Sequence, residues 1–268
     1  MRKNQYLFPC IFLFIFLTTN VKAWQVELSI IGKSKGDTMS VYVSNTQEFP
    51  QSLSLKLQFS DMKLIGEVPE YIVIPPKAED YVVAKLFMTN KAAAKLNWNN
   101  TQYFMGDINA VHNDKYIYTL PYQKGSSFMA SKPDNNDAGS PNNMLRFEMD
   151  KGTSVRAARN GKVIMTRSDS ETGCPVVDCA NFANYIIIMH NDGTMAAYSH
   201  LMKDGVNVKP GDEVRAGAVI GKSGNTGWSS FPHLQFEVFK ANLTVATKFR
   251  TSKKTSGYLE HGMNYKSR

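Results

Sequence analysis

The sequence predicts an all-β protein, an immunoglobulin-like β-sandwich followed by a second β-sheet domain, and three features point that way. From residue 25 to about 118 the chain is built of short β-branched and aromatic runs with alternating polarity. Turn residues punctuate those runs, and Pro50, Pro69, Pro75 and Pro76 fall between them, where a missing N–H disturbs no ladder. Beyond Leu120, strand-like segments recur at short intervals as far as Lys240, with glycine turns between them.

The first residues carry Arg2 and Lys3 and run into an almost wholly apolar stretch over 6–17, which is the pattern of a secretory signal peptide. The stretch is shorter than the roughly 20 residues a membrane-spanning helix needs. Val21 and Ala23 are small residues at the two positions a signal peptidase reads, so cleavage is expected after Ala23, leaving no transmembrane anchor. Cys10 lies inside the apolar run and is read as part of the discarded segment. Losing residues 1–23 removes Arg2, Lys3 and Lys22 and no acid, so the formal charge falls from +8 to +5 over 245 residues. The remaining lysines are scattered, with no aromatic-interleaved basic stripe, which argues against nucleic acid and suits an anionic envelope polymer as a neighbour.

The first domain, residues 24–119, contains the runs Ser-Val-Tyr-Val-Ser (40–44), Leu-Ser-Leu-Lys-Leu-Gln-Phe (53–59), Tyr-Ile-Val-Ile (71–74) and Tyr-Val-Val-Ala-Lys-Leu-Phe (81–87). One helical turn is expected over 91–96. The second domain is placed at 120–250 and opens with a loop, 131–143, rich in Asn, Asp, Pro, Ser and Gly. Residues 251–268 read as a polar, peripheral tail. Two cysteines remain in the mature chain, Cys174 and Cys179, spaced to close a small loop as a disulfide in an oxidising compartment. Half of a metal site would require a second Cys or His pair nearby, and none is present. Gly217-Ala-Val-Ile-Gly-Lys-Ser223 is one residue short of a phosphate-binding loop and is read as a turn between strands.

Five blocks then stand in order: Gly-Thr-Ser-Val-Arg-Ala-Ala-Arg-Asn-Gly-Lys-Val (152–163), Met-His-Asn-Asp-Gly-Thr (189–194), Tyr-Ser-His-Leu (198–201), a Lys-Pro-Gly-Asp-Glu-Val block (208–221), and Gly-Asn-Thr-Gly-Trp-Ser-Ser-Phe-Pro-His-Leu-Gln-Phe-Glu-Val (224–238). Together they resemble the LytM/lysostaphin family of zinc endopeptidases, which cut peptidoglycan cross-bridges. The resemblance implies the family's duplicated hybrid motif β-sheet fold for this domain. It also implies a zinc held by a His and an Asp of the first block and by the second His of a His-x-His strand. The first His of that strand and the His of a Tyr-x-His-Leu block then act on the bound water and the oxyanion.

This chain departs from that pattern at each ligand. The His-x-His strand reads His233-Leu-Gln235, and an amide is a poor zinc ligand. The position of the Asp is taken by Arg146, whose guanidinium stays protonated and has no lone pair to donate. The upstream His is missing, because no histidine lies between His112 and His190. No cofactor is therefore expected, and His200 and His233 are read as vestiges of the reaction geometry, with His233 a hydrogen-bonded residue of the groove floor. Two arrangements are open for Arg146. Either it lines the groove as a substitute cation, donating to the Gln235 side-chain oxygen and offering other donors to a carboxylate, or the strand register is shifted and it faces solvent. His190, His112 and His261 are assigned structural or surface roles.

The favoured reading is a secreted or periplasmic, non-catalytic pseudopeptidase that uses Arg146, Gln235, His200 and His233 to bind an envelope protein or peptidoglycan. The resemblance implies one concrete version, regulation of a cell-wall hydrolase, although the coiled coil and LysM-like repeats usual in such regulators are missing. A second reading is an active hydrolase with substitute ligands, drawn from Asp134, Asp137 or Glu148 together with His233 or His200. A third is a secreted adhesin, chaperone or inhibitor in which both domains are scaffolding.

Overall fold

Strand alternation and turn chemistry shape the N-terminal half. A computed structural model describes residues 28–132, 143–241, 243–251 and 255–268; the signal peptide, Asp134 and Asp137 lie outside the described residues. Strands β1 (Leu28–Lys35), β2 (Thr38–Asn45), β3 (Gln51–Ser60), β4 (Met62–Ile65), β5 (Ile72–Ile74), β6 (Tyr81–Met88) and β7 (Lys95–Met105) form two sheets, ordered β1-β2-β6-β4 and β5-β3-β7. Val41, Val43, Leu53, Ile74 and Leu86 point between the sheets into one apolar cluster. Burying a side chain of this size stabilises the fold by roughly 1.5–3 kcal/mol. The helical turn expected over 91–96 is one turn closed by the Ala94 N–H donating to the Asn90 carbonyl at 2.9 Å, after which β7 begins at Lys95.

The C-terminal half is organised by one large antiparallel sheet. The strands of this half are β8 (Ile117–Tyr118), β9 (Ser127–Ser131), β10 (Leu145–Phe147), β11 (Ser154–Arg156), β12 (Gly161–Arg167), β13 (Gly173–Cys174), β14 (Asn184–Met189), β15 (Met195–Val206), β16 (Glu213–Val214), β17 (Val219–Ser223), β18 (Gly227–Trp228), β19 (Leu234–Lys240), β20 (Leu243–Val245), β21 (Lys248–Arg250), β22 (Ser256–Gly257) and β23 (Met263–Lys266). The path through the large sheet runs β16-β12-β14-β15-β19-β10-β9-β23, while β8, β21 and β22 form a small sheet of their own. The Gly-Lys-Ser segment rejected as a phosphate loop is β17, paired with β11 and β15.

Two boundaries differ from the sequence reading. Tyr118 is fully buried in the C-terminal core and β8 pairs with β21, so the second unit begins before residue 120. The tail, read as peripheral, supplies β23 as the sheet's edge strand and buries Leu259. Its polar composition reflects an edge strand with side chains largely in water.

Period-two alternation gives the large sheet two distinct faces. Leu234, Phe236 and Val238 of β19 join Ala196 and Tyr198 of β15 and Ile186 and Ile188 of β14 in the main core. On the opposite face, Phe239, Met195, Ala197, Ile187 and Tyr185 form a second cluster with Phe49 and Met105 of the N-terminal unit. Lys240 Nζ donates to the Ala110 carbonyl at 2.8 Å, and the Asn113 N–H donates to Asp192 Oδ2 at 3.2 Å, adding polar ties to the same contact. The N-terminal unit thus docks on the outer sheet face. Replacing Phe49, which is 2% exposed, by Ala should lower the free energy of unfolding by about 3–5 kcal/mol in urea titrations; a loss below about 1 kcal/mol would mean that the contact does not couple the two halves.

Candidate functional site

Across the outer face runs a row set by strand register: Ser131 of β9 is opposite Arg146 of β10, Arg146 is opposite Gln235 of β19, and Gln235 is opposite Ser199 of β15. Directly opposed residues share a face. Arg146 and Gln235, read from the sequence as the failed ligand positions, are therefore neighbours. The shifted-register alternative for Arg146 does not hold.

His200 reaches this row through a bulge. Asn184 pairs with Leu201 and Tyr185 with Ser199, so His200 is the extra residue on β15, at φ 65°. A left-handed non-glycine residue costs about 1–3 kcal/mol and persists only when its surroundings hold it. Here the His200 Nδ1–H donates to the Thr226 carbonyl at 2.6 Å. Thr226 is itself fixed, its hydroxyl donating to the Leu201 carbonyl at 2.7 Å and accepting from the Asn184 N–H at 3.0 Å. His200 Nε2 lies 3.0 Å from the Gln235 side-chain oxygen. Because Nδ1 is committed as a donor, a neutral His200 accepts at Nε2, and the Gln235 amide satisfies it by turning its NH2 toward the ring.

His233 enters through an isolated bridge to Gly224 and stacks obliquely on His200, ring centroids 4.7 Å apart. Its Nδ1–H donates to the Phe231 carbonyl at 2.8 Å, with Ser229 Oγ at 3.2 Å, as a hydrogen-bonded floor residue should. Its Nε2 is buried and has no hydrogen-bond partner among the described residues. Phe231 packs on the ring at 5.0 Å and is 41% exposed, so one wall of the groove is aromatic.

That wall is braced by the disulfide. Cys174 and Cys179 are bonded, with Cα atoms 5.8 Å apart, around a short 3₁₀ turn at Val177–Phe182. β13 pairs with β18 so that Cys174 meets Trp228, and the Ser229 N–H donates to the Cys174 carbonyl at 3.0 Å. Gly227, at φ 81°, is required twice over, since a Cβ there would meet Ala183 at 2.6 Å. The loop therefore positions Thr226 and Ser229, partners of the two imidazoles that single-residue reading passed over although both lie in the Gly224–Val238 block.

Burial is the main reason that both rings are held below the ordinary histidine range, His233 at about 3; the neighbouring imidazole adds to this for His233, and Arg146 adds to it for both. The remaining candidates lie elsewhere. Glu148 is exposed beyond the end of β10. His112 pairs with Asp114 at 2.8 Å, and His261 Nδ1 accepts from the Lys132 N–H at 3.2 Å. His190 is buried at the β14 end, donating from Nδ1 to the Asn160 carbonyl at 2.8 Å, and burial takes it down to about 4.

Residues 140–247 match the family model described as peptidase family M23. Lipoprotein NlpD of Yersinia enterocolitica is 34% identical over 88 residues, covering 33% of this chain and 78% of that one. The chain belongs to peptidase family M23. Peptidoglycan DD-endopeptidase ShyA of Vibrio cholerae is 36% identical over 116 residues, 40% of this chain but only 24% of ShyA, so the likeness covers about a quarter of that relative. Among solved structures, the catalytic domain of lysostaphin from Staphylococcus simulans aligns at 32% identity over 51% of this chain and 88% of that domain, with a TM-score of 0.32.

An M23-type zinc does not fit the residues of this groove. A guanidinium and an amide stand side by side at the positions that the sequence resemblance aligns with the family's Asp and His, and an imidazole faces that amide. Among the described residues, no three His, Cys, Asp or Glu side chains converge.

Acid should destabilise this arrangement. Above pH 6.5 neither the folded nor the unfolded chain protonates His190 or His233 appreciably, and the fold is at full strength. Below it the unfolded chain takes up protons that the fold refuses until the pH nears about 4 for His190 and about 3 for His233. Each ring then contributes a loss of about 2 kcal/mol between pH 7 and pH 5. In urea titrations at the two pH values, His190→Gln and His233→Gln should each shrink the wild-type drop by about that amount; an unchanged drop would contradict the buried, neutral assignment.

Proposed function

We propose that this M23 chain is a non-catalytic pseudopeptidase of the bacterial cell envelope, secreted or periplasmic, whose groove binds peptidoglycan or an envelope protein instead of cutting it. The observation that carries the reading is the Arg146–Gln235 pair at the centre of the outer sheet face. A fixed cation there favours a ligand's carboxylate or carbonyl oxygen and disfavours a second cation, so the site selects peptide acceptors and rejects metal. Phe231, exposed and packed on the His233 ring, adds apolar contact area to the same site. Two buried neutral imidazoles contribute shape and a lone pair at His233 Nε2; Ser229 Oγ lies near His233 Nδ1, but that nitrogen carries the proton it donates to the Phe231 carbonyl and so offers no base to activate the hydroxyl.

A retained hydrolase would draw its substitute ligands from Glu148, Asp134 or Asp137 together with His233 or His200. Glu148 is exposed, one residue beyond the end of β10. That weakens the alternative without touching the two aspartates, which lie outside the described residues.

The test is co-sedimentation with purified peptidoglycan sacculi, with release of soluble muropeptides followed in the same tubes. The expected outcome is binding without release, weakened about tenfold or more by Arg146→Ala, the scale of one charge-assisted hydrogen bond at about 1.5 kcal/mol. If sacculi do not bind, cross-linking from the groove should capture an envelope protein with the same dependence on Arg146. Muropeptide release that is lost in His200→Ala would contradict the proposal.

A further inference from the structure

Over much of the surface, cations meet carboxylates: Lys33 pairs with Asp80 at 2.6 Å, Lys77 with Glu48 at 3.1 Å and Lys203 with Glu171 at 3.1 Å. At the β23 edge of the large sheet this pattern stops. Lys124, Gly125, Arg250, Lys266, Ser267 and Arg268 line a cavity of about 510 Å³. No acidic side chain lines it, and among the described residues Lys124, Arg250 and Lys266 make no ion pair.

The backbone around the cavity is fixed, so these charges converge by construction. The Gly125 N–H donates to the Ser267 carbonyl and the Ser267 N–H to the Ser126 carbonyl, both at 2.9 Å. The Tyr122 hydroxyl donates to the Tyr265 carbonyl at 2.7 Å, tying β23 to the buried core. Ser267 points inward and is 8% exposed, which leaves Lys266 and Arg268, on either side of it, facing outward together. Arg250 arrives from a separate strand, β21, and Lys124 from the turn before β9. Cations held together from three segments repel one another unless an anion sits among them.

We propose that this cavity is a binding site for a multivalent phosphate anion. Its volume lies within the roughly 300–1,000 Å³ usual for small-ligand sites. Two Arg forks and two lysine point charges suit phosphoryl oxygens on a chain or cluster carrying several charges. The site is separate from the groove. Along β9, Ser127 pairs with Lys266 and Ser131 with Arg146, four residues on, or roughly 13 Å at about 3.3 Å per residue. The proposal does not depend on what the groove binds.

A phosphate polymer and a phospholipid headgroup offer the same chemistry, and two probes separate them. The full chain is titrated with long-chain inorganic polyphosphate, and in parallel with vesicles of phosphatidylcholine containing phosphatidylglycerol, at low and physiological salt. Wild type should bind at least one probe, and the Lys124→Ala/Arg250→Ala/Lys266→Ala variant should bind it at least tenfold more weakly. For polyphosphate, the slope of log affinity against log salt should flatten by roughly 0.7 for each cation removed. A control, Lys35→Ala/Lys56→Ala/Lys63→Ala, removes the same charge from exposed positions in the N-terminal unit and should keep wild-type affinity. Binding of polyphosphate alone assigns a free polymer, and binding of vesicles alone assigns a lipid surface. No binding of either at low salt, or an equal loss in the control, would overturn the site.

Discussion

A guanidinium fixed beside two buried imidazoles constrains the rest of the groove. Arg146 is paired with Gln235 by strand register, and its charge, added to burial, opposes a proton on His200 or His233. Neutral rings need defined donors and acceptors, and both Nδ1 atoms find backbone carbonyls, those of Thr226 and Phe231. Such a Nδ1–H to carbonyl bond is the arrangement that presents Nε2 to a metal in zinc sites. Here both imidazoles have such a bond, and their neighbours in the row are a guanidinium and an amide.

The same sheet explains why the groove keeps its shape. Strand β19 sends Leu234, Phe236 and Val238 into the core and turns Gln235 and Phe239 to the outer face. One end of that face is sealed by Phe49 and Met105 of the N-terminal unit, and the other holds the Arg146–Gln235 row. The bulge that aims His200 and the disulfide loop that supplies its partner close the remaining side. Groove, core and interdomain contact thus share one strand, so a change in any of them is felt by the others.

Much of this was legible in the sequence, for reasons that differ from segment to segment. The runs that became β2, β5 and β6 are legible because apolar residues on one face of each are buried in the sandwich core, and β3 because its alternating leucines are. By contrast, β7 reads Lys-Leu-Asn-Trp-Asn-Asn over its first half, a composition poor in strand formers, and is held as a strand by pairing with β3 along its length. β1, interrupted by Gly32 and lysines, and the edge strand β23 escaped for the same reason. At the site, Arg146, Gln235, His200 and His233 followed from motif spacing. The bulge at His200 and the docking of Phe49 did not, because a bulge leaves no residue signature there and an interdomain phenylalanine looks like any core residue.

The central claim is that this M23 groove carries a fixed cation in place of metal, and metal content of the purified mature protein tests it most directly. After dialysis against zinc and then against metal-free buffer, elemental analysis should find zinc far below one equivalent. Gln235→His combined with Arg146→Asp should raise zinc retention above wild type, because it restores two donors to a site whose other imidazoles are already oriented. About one tightly held zinc per wild-type chain would contradict the account.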